Sequence, residues 1–167
     1  MKLREMTRCG IFAALLAVCA WLSIPFGDQA VSLQSFGLFL ALGLLGGRGG
    51  MVTVLVYLLL GAVGLPVFSG FRGGIAVLLG PTGGYLWGFL VACATYWLLE
   101  NRLQPWLNMI LGIAVCYACG TAWYYFMYAP GALWPVILTC VVPYLLPDSL
   151  KLLLSLSVTR KIKGLIR

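Results

Sequence analysis

Charged residues divide this chain into long apolar runs. Residues 9–27, 29–47, 49–71, 73–99 and 103–147 contain no Asp, Glu, Lys or Arg, and a shorter run follows at 152–159. A helix needs about 20 apolar residues to cross a bilayer, within a range of roughly 17 to 25. Each of the first four runs fits one crossing. The fifth, at 45 residues, holds one complete crossing and most of another. The pattern predicts an all-α membrane protein: a six-transmembrane-helix bundle forming a single integral membrane domain over residues 1–167.

Turn residues place the joints. The first span is expected at about residues 9–24, ended by Pro25-Phe26-Gly27-Asp28. Gly46-Gly47-Arg48-Gly49-Gly50 reads as a tight turn between the second and third spans. The third span is expected to run to about Leu65, and Gly80-Pro81-Thr82-Gly83-Gly84-Tyr85 opens the fourth. Proline suits a first helical turn, where its missing N–H would be unpaired anyway. The fifth span is expected at about residues 105–128. From Pro130 to Arg160 there are 31 residues, about 45 Å as one helix against a core of about 30 Å. Pro135, Pro143 and Pro147 predict a broken or partly re-entrant outer segment and a final helix beginning near Pro147.

Fourteen of the 21 glycines fall between Gly43 and Gly88. Glycine lets another surface approach the backbone closely. Beside membrane spans, irregular backbone persists only where protein buries it or where it lines a cavity. The Gly-, Pro-, Ser- and aromatic-rich loop after the third span is therefore read as an outer lid over an intramembrane pocket.

Composition agrees with the run pattern. The chain is 62% hydrophobic and 9% charged, against about 25% charged in a soluble domain. The basic start and apolar middle of the first run also fit a cleaved signal sequence. The chain passes directly into further spans, so the segment is taken as the first crossing. With odd-numbered crossings running outward, Lys2, Arg4, Arg8, Arg48, Arg102, Arg160, Lys161, Lys163 and Arg167 lie inside and only Arg72 outside. That bias puts both termini in the cytoplasm and the protein in the cell membrane. The net charge of +7 is then topological and implies no nucleic-acid partner.

Several chemistries are removed by what the sequence lacks. The six cysteines are scattered through apolar runs, and the Cys116-x-x-Cys119 spacing has no histidine or second pair to complete a four-ligand zinc site. No metal or cofactor is expected. Without histidine the commonest general base is missing, so no catalytic residues are assigned, and a membrane-embedded enzyme is kept only as an alternative. There is no G-x-x-x-x-G-K-[ST] phosphate loop.

Asp148 and Lys151 are the anomaly. Three residues apart, they share one face of a helix. Only eight uncharged residues separate Lys151 from Arg160, about 12–15 Å of helix, too little to cross from one surface to the other. With Arg160 at the cytoplasmic surface, Lys151 lies inside the bilayer, where ionised groups pair or face a cavity and mark function by default. The same pair could serve only as an ion pair locking helix packing. If residues 131–146 crossed by themselves, residues 148–167 would instead form a basic amphipathic helix on the inner surface. Gln34 could cap a helix or face the pocket, and Tyr85 could be a pocket donor or an interfacial aromatic.

The chain resembles the BioY family, the biotin-binding S components of energy-coupling-factor vitamin transporters. The resemblance rests on Ser32-Leu33-Gln34-Ser35-Phe36, Leu42-Gly43-Leu44-Leu45-Gly46-Gly47-Arg48, Tyr57-Leu58-Leu59-Leu60-Gly61, Gly64-Leu65-Pro66-Val67-Phe68-Ser69-Gly70, Gly80-Pro81-Thr82-Gly83-Gly84-Tyr85-Leu86, Pro143-Tyr144 and Asp148-x-x-Lys151. It implies capture of biotin from outside beneath the loops after the first and third spans. Asp148 and Lys151 would be the polar ligand contacts, with Tyr85, Gln34, Ser69 and Gly70 as further candidates. Phe68, Phe71 or Phe126 would supply apolar walls. Ala13 and Ala17, a small-x-x-x-small pair, would dock onto a transmembrane coupling subunit, with two partner ATPase subunits supplying energy. The segment 24–31 departs from the proline-richer loop usual in the family. An S component for another vitamin is the nearest alternative.

Overall fold

A computed structural model describes residues 3–26, 29–131 and 133–165. Lys2, Gly27, Asp28 and Arg167, which enter the charge map and the first loop, lie outside the described residues. The chain is mainly helical. Helix α1 spans Leu3–Trp21, α2 Gln34–Ala62, α3 Ile75–Leu78, α4 Gly83–Leu99, α5 Pro105–Tyr128, α6 Leu133–Cys140 and α7 Val142–Leu165. Three stretches are long and apolar enough to cross a membrane: Gln34–Ala62, Pro105–Tyr128 and the α6–α7 stretch Leu133–Leu165. The shorter α4, Gly83–Leu99, is apolar as well.

Helix α2 is a hairpin. Its backbone turns at Gly46, with φ 74° and ψ 179°, a left-handed conformation that glycine accepts without a Cβ clash. Along one continuous helix Gln34 and Tyr57 would stand about 35 Å apart, yet their side chains are hydrogen-bonded at 2.9 Å. Two antiparallel arms, 34–45 and 47–62, therefore meet at the glycine-rich turn. The joint is fixed from across the bundle, where the Gly47 N–H donates to Glu100 Oε2 at 2.7 Å. A Cβ at Gly47 would overlap the Trp97 backbone, so the turn sits directly on the end of α4.

Close approach also sets the α4–α5 pair. Gly84 and Gly88 form a small-x-x-x-small stripe whose missing Cβ atoms make room for Trp123 and for the Cys116 backbone. Leu16, Phe39, Leu42, Val54, Tyr57, Phe68 and Met109 are buried at the centre, where α1, α2, α4 and α5 converge.

Three joints differ from the sequence reading. The segment after α1 is a two-stranded antiparallel ribbon, β1 Ser23–Phe26 paired with β2 Gln29–Ser32, in the register Ser23↔Ser32 and Ile24↔Val31. Such a ribbon is marginal alone, and the Leu33 N–H to Leu22 carbonyl bond at 3.1 Å clamps its base. The second arm of α2 stops at Ala62, three residues before the expected end. Helix α7 begins at Val142, so Pro147 lies within it. Pro143 takes the early position where a missing N–H costs nothing, and Pro147, one turn later, forfeits a single bond near the helix start.

Candidate ligand-binding site

The loop between α2 and α3 folds over one end of the bundle. Phe68 pairs with Arg72 across an isolated bridge, and the Phe68 ring is driven down against Gly61 and edge-on to Tyr57, with centroids 5.4 Å apart. Aromatic donors hold the loop backbone from below. Trp21 Nε1 donates to the Pro66 carbonyl at 2.7 Å and Tyr57 to Val67 at 2.9 Å. Trp87, Tyr128 and Trp123 donate to the Leu78, Leu79 and Gly80 carbonyls at 3.2, 2.8 and 3.1 Å. Phe71, at φ 55°, stacks on Trp21 with centroids 5.1 Å apart.

Beneath this loop lies a cavity of about 170 Å³, lined by Ser32, Gln34, Ser35, Phe68, Ser69, Arg72, Val77, Thr82, Tyr85, Leu86, Phe89, Ile113, Cys116, Tyr117, Tyr144, Asp148 and Lys151. A second void of about 10 Å³ lies next to it, walled largely by apolar side chains. It is too small for more than about one water.

Its polar floor is built on α7. Asp148 and Lys151, 8% and 7% exposed, form an ion pair at 2.7 Å. Both are embedded further. Lys151 Nζ donates to the Ser32 carbonyl at 2.7 Å, to Ser35 Oγ at 3.2 Å and to Asp148 Oδ1. An ammonium has three protons, and all three are used. Ser35 Oγ donates to Asp148 Oδ1 at 2.7 Å, and the Tyr117 hydroxyl donates to Oδ2. The carboxylate is held from α2, α5 and α7 at once. That arrangement satisfies both buried charges, which a pair alone would leave costly. Arg72 also lines the cavity and makes no ion pair with a described residue. With Asp148 and Lys151 neutralising one another, the lining carries one net positive charge, on the α2–α3 loop.

The structure brings Asp148, Lys151, Gln34, Tyr85 and Ser69 to one cavity. The Tyr85 hydroxyl donates to the Cys140 carbonyl at 2.9 Å, so it ties α4 to α6 as well as lining the space. Gly70 is not among the lining residues; with φ 73° it makes the turn that carries Arg72 inward. Of the three aromatic candidates only Phe68 lines the cavity. Phe71 and Phe126 are 64% and 75% exposed and lie outside it. Phe89, Leu86 and Ile113 supply the other apolar walls.

Ala13 and Ala17 need correction. They are 1% and 6% exposed, packed into the core that α1 shares with α2, so they offer no face to a partner. The small side chains serve close approach within the chain. Sequence reasoning also missed Ser32, Ser35, Arg72, Tyr117 and Tyr144. Ser32, Ser35 and Tyr144 lay within the motifs that carry the resemblance, but nothing local distinguishes them from packing residues.

The model of the BioY family matches residues 1–167. The chain belongs to the BioY family. Relatives within it include the probable biotin transporter BioY of Pyrococcus horikoshii, 35% identical over 164 residues, with 98% of this chain and 99% of that one covered. The biotin transporter BioY of Thermotoga maritima is 43% identical over 122 residues, 71% of this chain and 72% of its own. Among solved structures, the crystal structure of the S-component for biotin from an ECF-type ABC transporter superposes with a TM-score of 0.86 at 27% identity. That match covers 96% of this chain and 91% of the other.

Proposed function

We propose that the chain captures biotin from outside the cell and delivers it across the membrane as the substrate-specific S component of an ECF-type transporter. The observation that carries this reading is the buried Asp148–Lys151 pair on the floor of a lidded cavity inside an apolar bundle. Biotin combines an N–H-bearing ureido ring, an apolar thiophane ring and tail, and one carboxylate. The cavity offers each a counterpart. The Asp148 cluster accepts a ureido N–H, Phe68, Leu86, Phe89 and Ile113 wall the apolar part, and a cation meets the carboxylate.

Which cation does so follows from the donor count. Lys151 has its three protons committed, whereas Arg72 brings an uncommitted planar guanidinium suited to bidentate carboxylate pairing. Lys151 then holds Asp148 and the base of α2 in place, and Arg72 receives the acid as the lid closes. This division places the ureido ring deep and the tail toward the lid.

Six crossings follow from α1, the two arms of α2, α4, α5 and the α6–α7 stretch, with both termini on the cytoplasmic side and the α2–α3 loop as the outer lid. A membrane-embedded coupling subunit and two ATPase subunits would supply the energy. The side of α1 left open to such a partner carries Gly10, Ile11, Ala14 and Val18. The test is equilibrium binding of biotin to the purified, detergent-solubilised chain. Saturable binding at sub-micromolar ligand supports the reading, and its absence overturns it.

A further inference from the structure

Tyr57 lies outside the cavity and is fully buried, at 0% exposed, yet its hydroxyl stands between a cavity residue and the lid. It donates to the Val67 carbonyl at 2.9 Å and receives Gln34 Nε2 at 2.9 Å. The directions are fixed by chemistry. A backbone carbonyl can only accept, so the single phenolic proton is committed to Val67. Towards Gln34 the hydroxyl can then only accept, and the nitrogen end of the amide must face it. That settles which way the Gln34 amide points, a choice that otherwise depends on its surroundings. The oxygen end, Oε1, makes no hydrogen bond with a described residue and is not sealed away from solvent. Gln34 lines the cavity, so that oxygen is open to it.

We infer that Tyr57 is a positioning residue that fixes Gln34 as a hydrogen-bond acceptor in the binding cavity and links that acceptor to the lid through Val67. The ligand group it selects is an N–H donor of the urea or amide kind. The backbone supports the same polarity. The Gln34 N–H is taken by Ser32 Oγ at 3.3 Å, and the Ser32 carbonyl is taken by Lys151 at 2.7 Å. The start of α2 is thus held on both sides while the side-chain oxygen stays available. Ligand engagement at Oε1 polarises the Gln34–Tyr57–Val67 chain and tightens the lid bond in the same step. This inference rests on biotin being the ligand.

The test uses the full chain in detergent with biotin and with two analogues, each methylated on one ureido nitrogen. The native chain is expected to bind both analogues more weakly than biotin, the methyl on the nitrogen facing Gln34 costing roughly three- to tenfold, the effect of one neutral hydrogen bond. Tyr57→Phe keeps the ring that meets Phe68 but frees the amide to turn, so discrimination against that one analogue is lost while discrimination against the other is kept. Gln34→Met removes the acceptor, leaves the Tyr57–Val67 bond intact, and keeps the question open if Tyr57→Phe fails to fold. It too should lose discrimination against that one analogue alone. If either folded variant keeps the native discrimination against both analogues, or weakens all three ligands by one common factor, the inference is overturned and the functional reading stands. A native chain that binds no biotin overturns both.

Discussion

Two glycine-rich segments flank the second arm of α2, and they serve opposite ends. At the Gly46–Gly50 turn, Gly47 is buried, donates to Glu100 Oε2 at 2.7 Å and rests on the Trp97 backbone. Gly50 is packed against Leu42. At the α2–α3 loop, the Pro66 and Val67 carbonyls are held by aromatic donors, and the Leu78, Leu79 and Gly80 carbonyls at the end of α3 are held in the same way. The tip from Ser69 to Arg72 is held instead by the Phe68 N–H donating to the Arg72 carbonyl at 2.9 Å and by the Phe71–Trp21 stack. Similar composition thus gives a turn seated on a helix end in one place and a loop bordering the cavity in the other. What separates them is what each segment faces: Gly47 sits against the Trp97 backbone, whereas Ser69 and Arg72 line the cavity.

Substitutions at the two segments should therefore separate stability from binding. The largest effect is expected from Gly47→Val, whose new atoms would collide with Trp97 backbone that cannot step aside. A loss of about 3 kcal/mol of fold stability is expected, read as a lowered thermal transition in detergent, with unchanged biotin affinity in whatever fraction stays folded. Arg72→Ala should do the reverse. The unfolding transition stays in place while affinity falls by roughly 10- to 100-fold, from a lost charge-assisted bond of about 1.5–3 kcal/mol. Equal loss in both measurements would erase the distinction between turn and loop. A smaller effect is expected from Trp21→Phe, which keeps a ring under Phe71 but removes the donor to Pro66. About 1 kcal/mol should appear as faster biotin release in a dissociation time course, with association little changed.

The sequence revealed the Gly46–Gly50 turn and the charged pair for the same reason: both are violations of a local rule. Five residues of glycine and arginine between apolar runs have no place inside a helix, and an ionised pair eight residues from a basic cluster has no place in lipid. Residues that break no rule stayed invisible. Arg72 read only as an outward anchor, because its approach to the cavity depends on the Phe68–Arg72 bridge that folds the loop inward. Tyr117 and Ser35 became readable once α5 and α2 were set beside α7. On α1, Ala13-x-x-x-Ala17 and Gly10-x-x-x-Ala14 are equivalent as patterns. Only the packing of α2 decides that the first is buried and the second open. Pro147 misled because proline marks helix starts in general, while here Pro143 already occupied that role.

Biotin titrated into the purified native chain and into Lys151→Ala, with the unfolding transition of each recorded in parallel, is the decisive comparison. Saturable sub-micromolar binding by the native chain is expected. In a variant that still unfolds cooperatively, binding should be weakened tenfold or more, because Asp148 and the start of α2 lose their shared anchor. Identical affinity in the two proteins would reduce the buried pair to packing and contradict the assignment of this cavity as the biotin site.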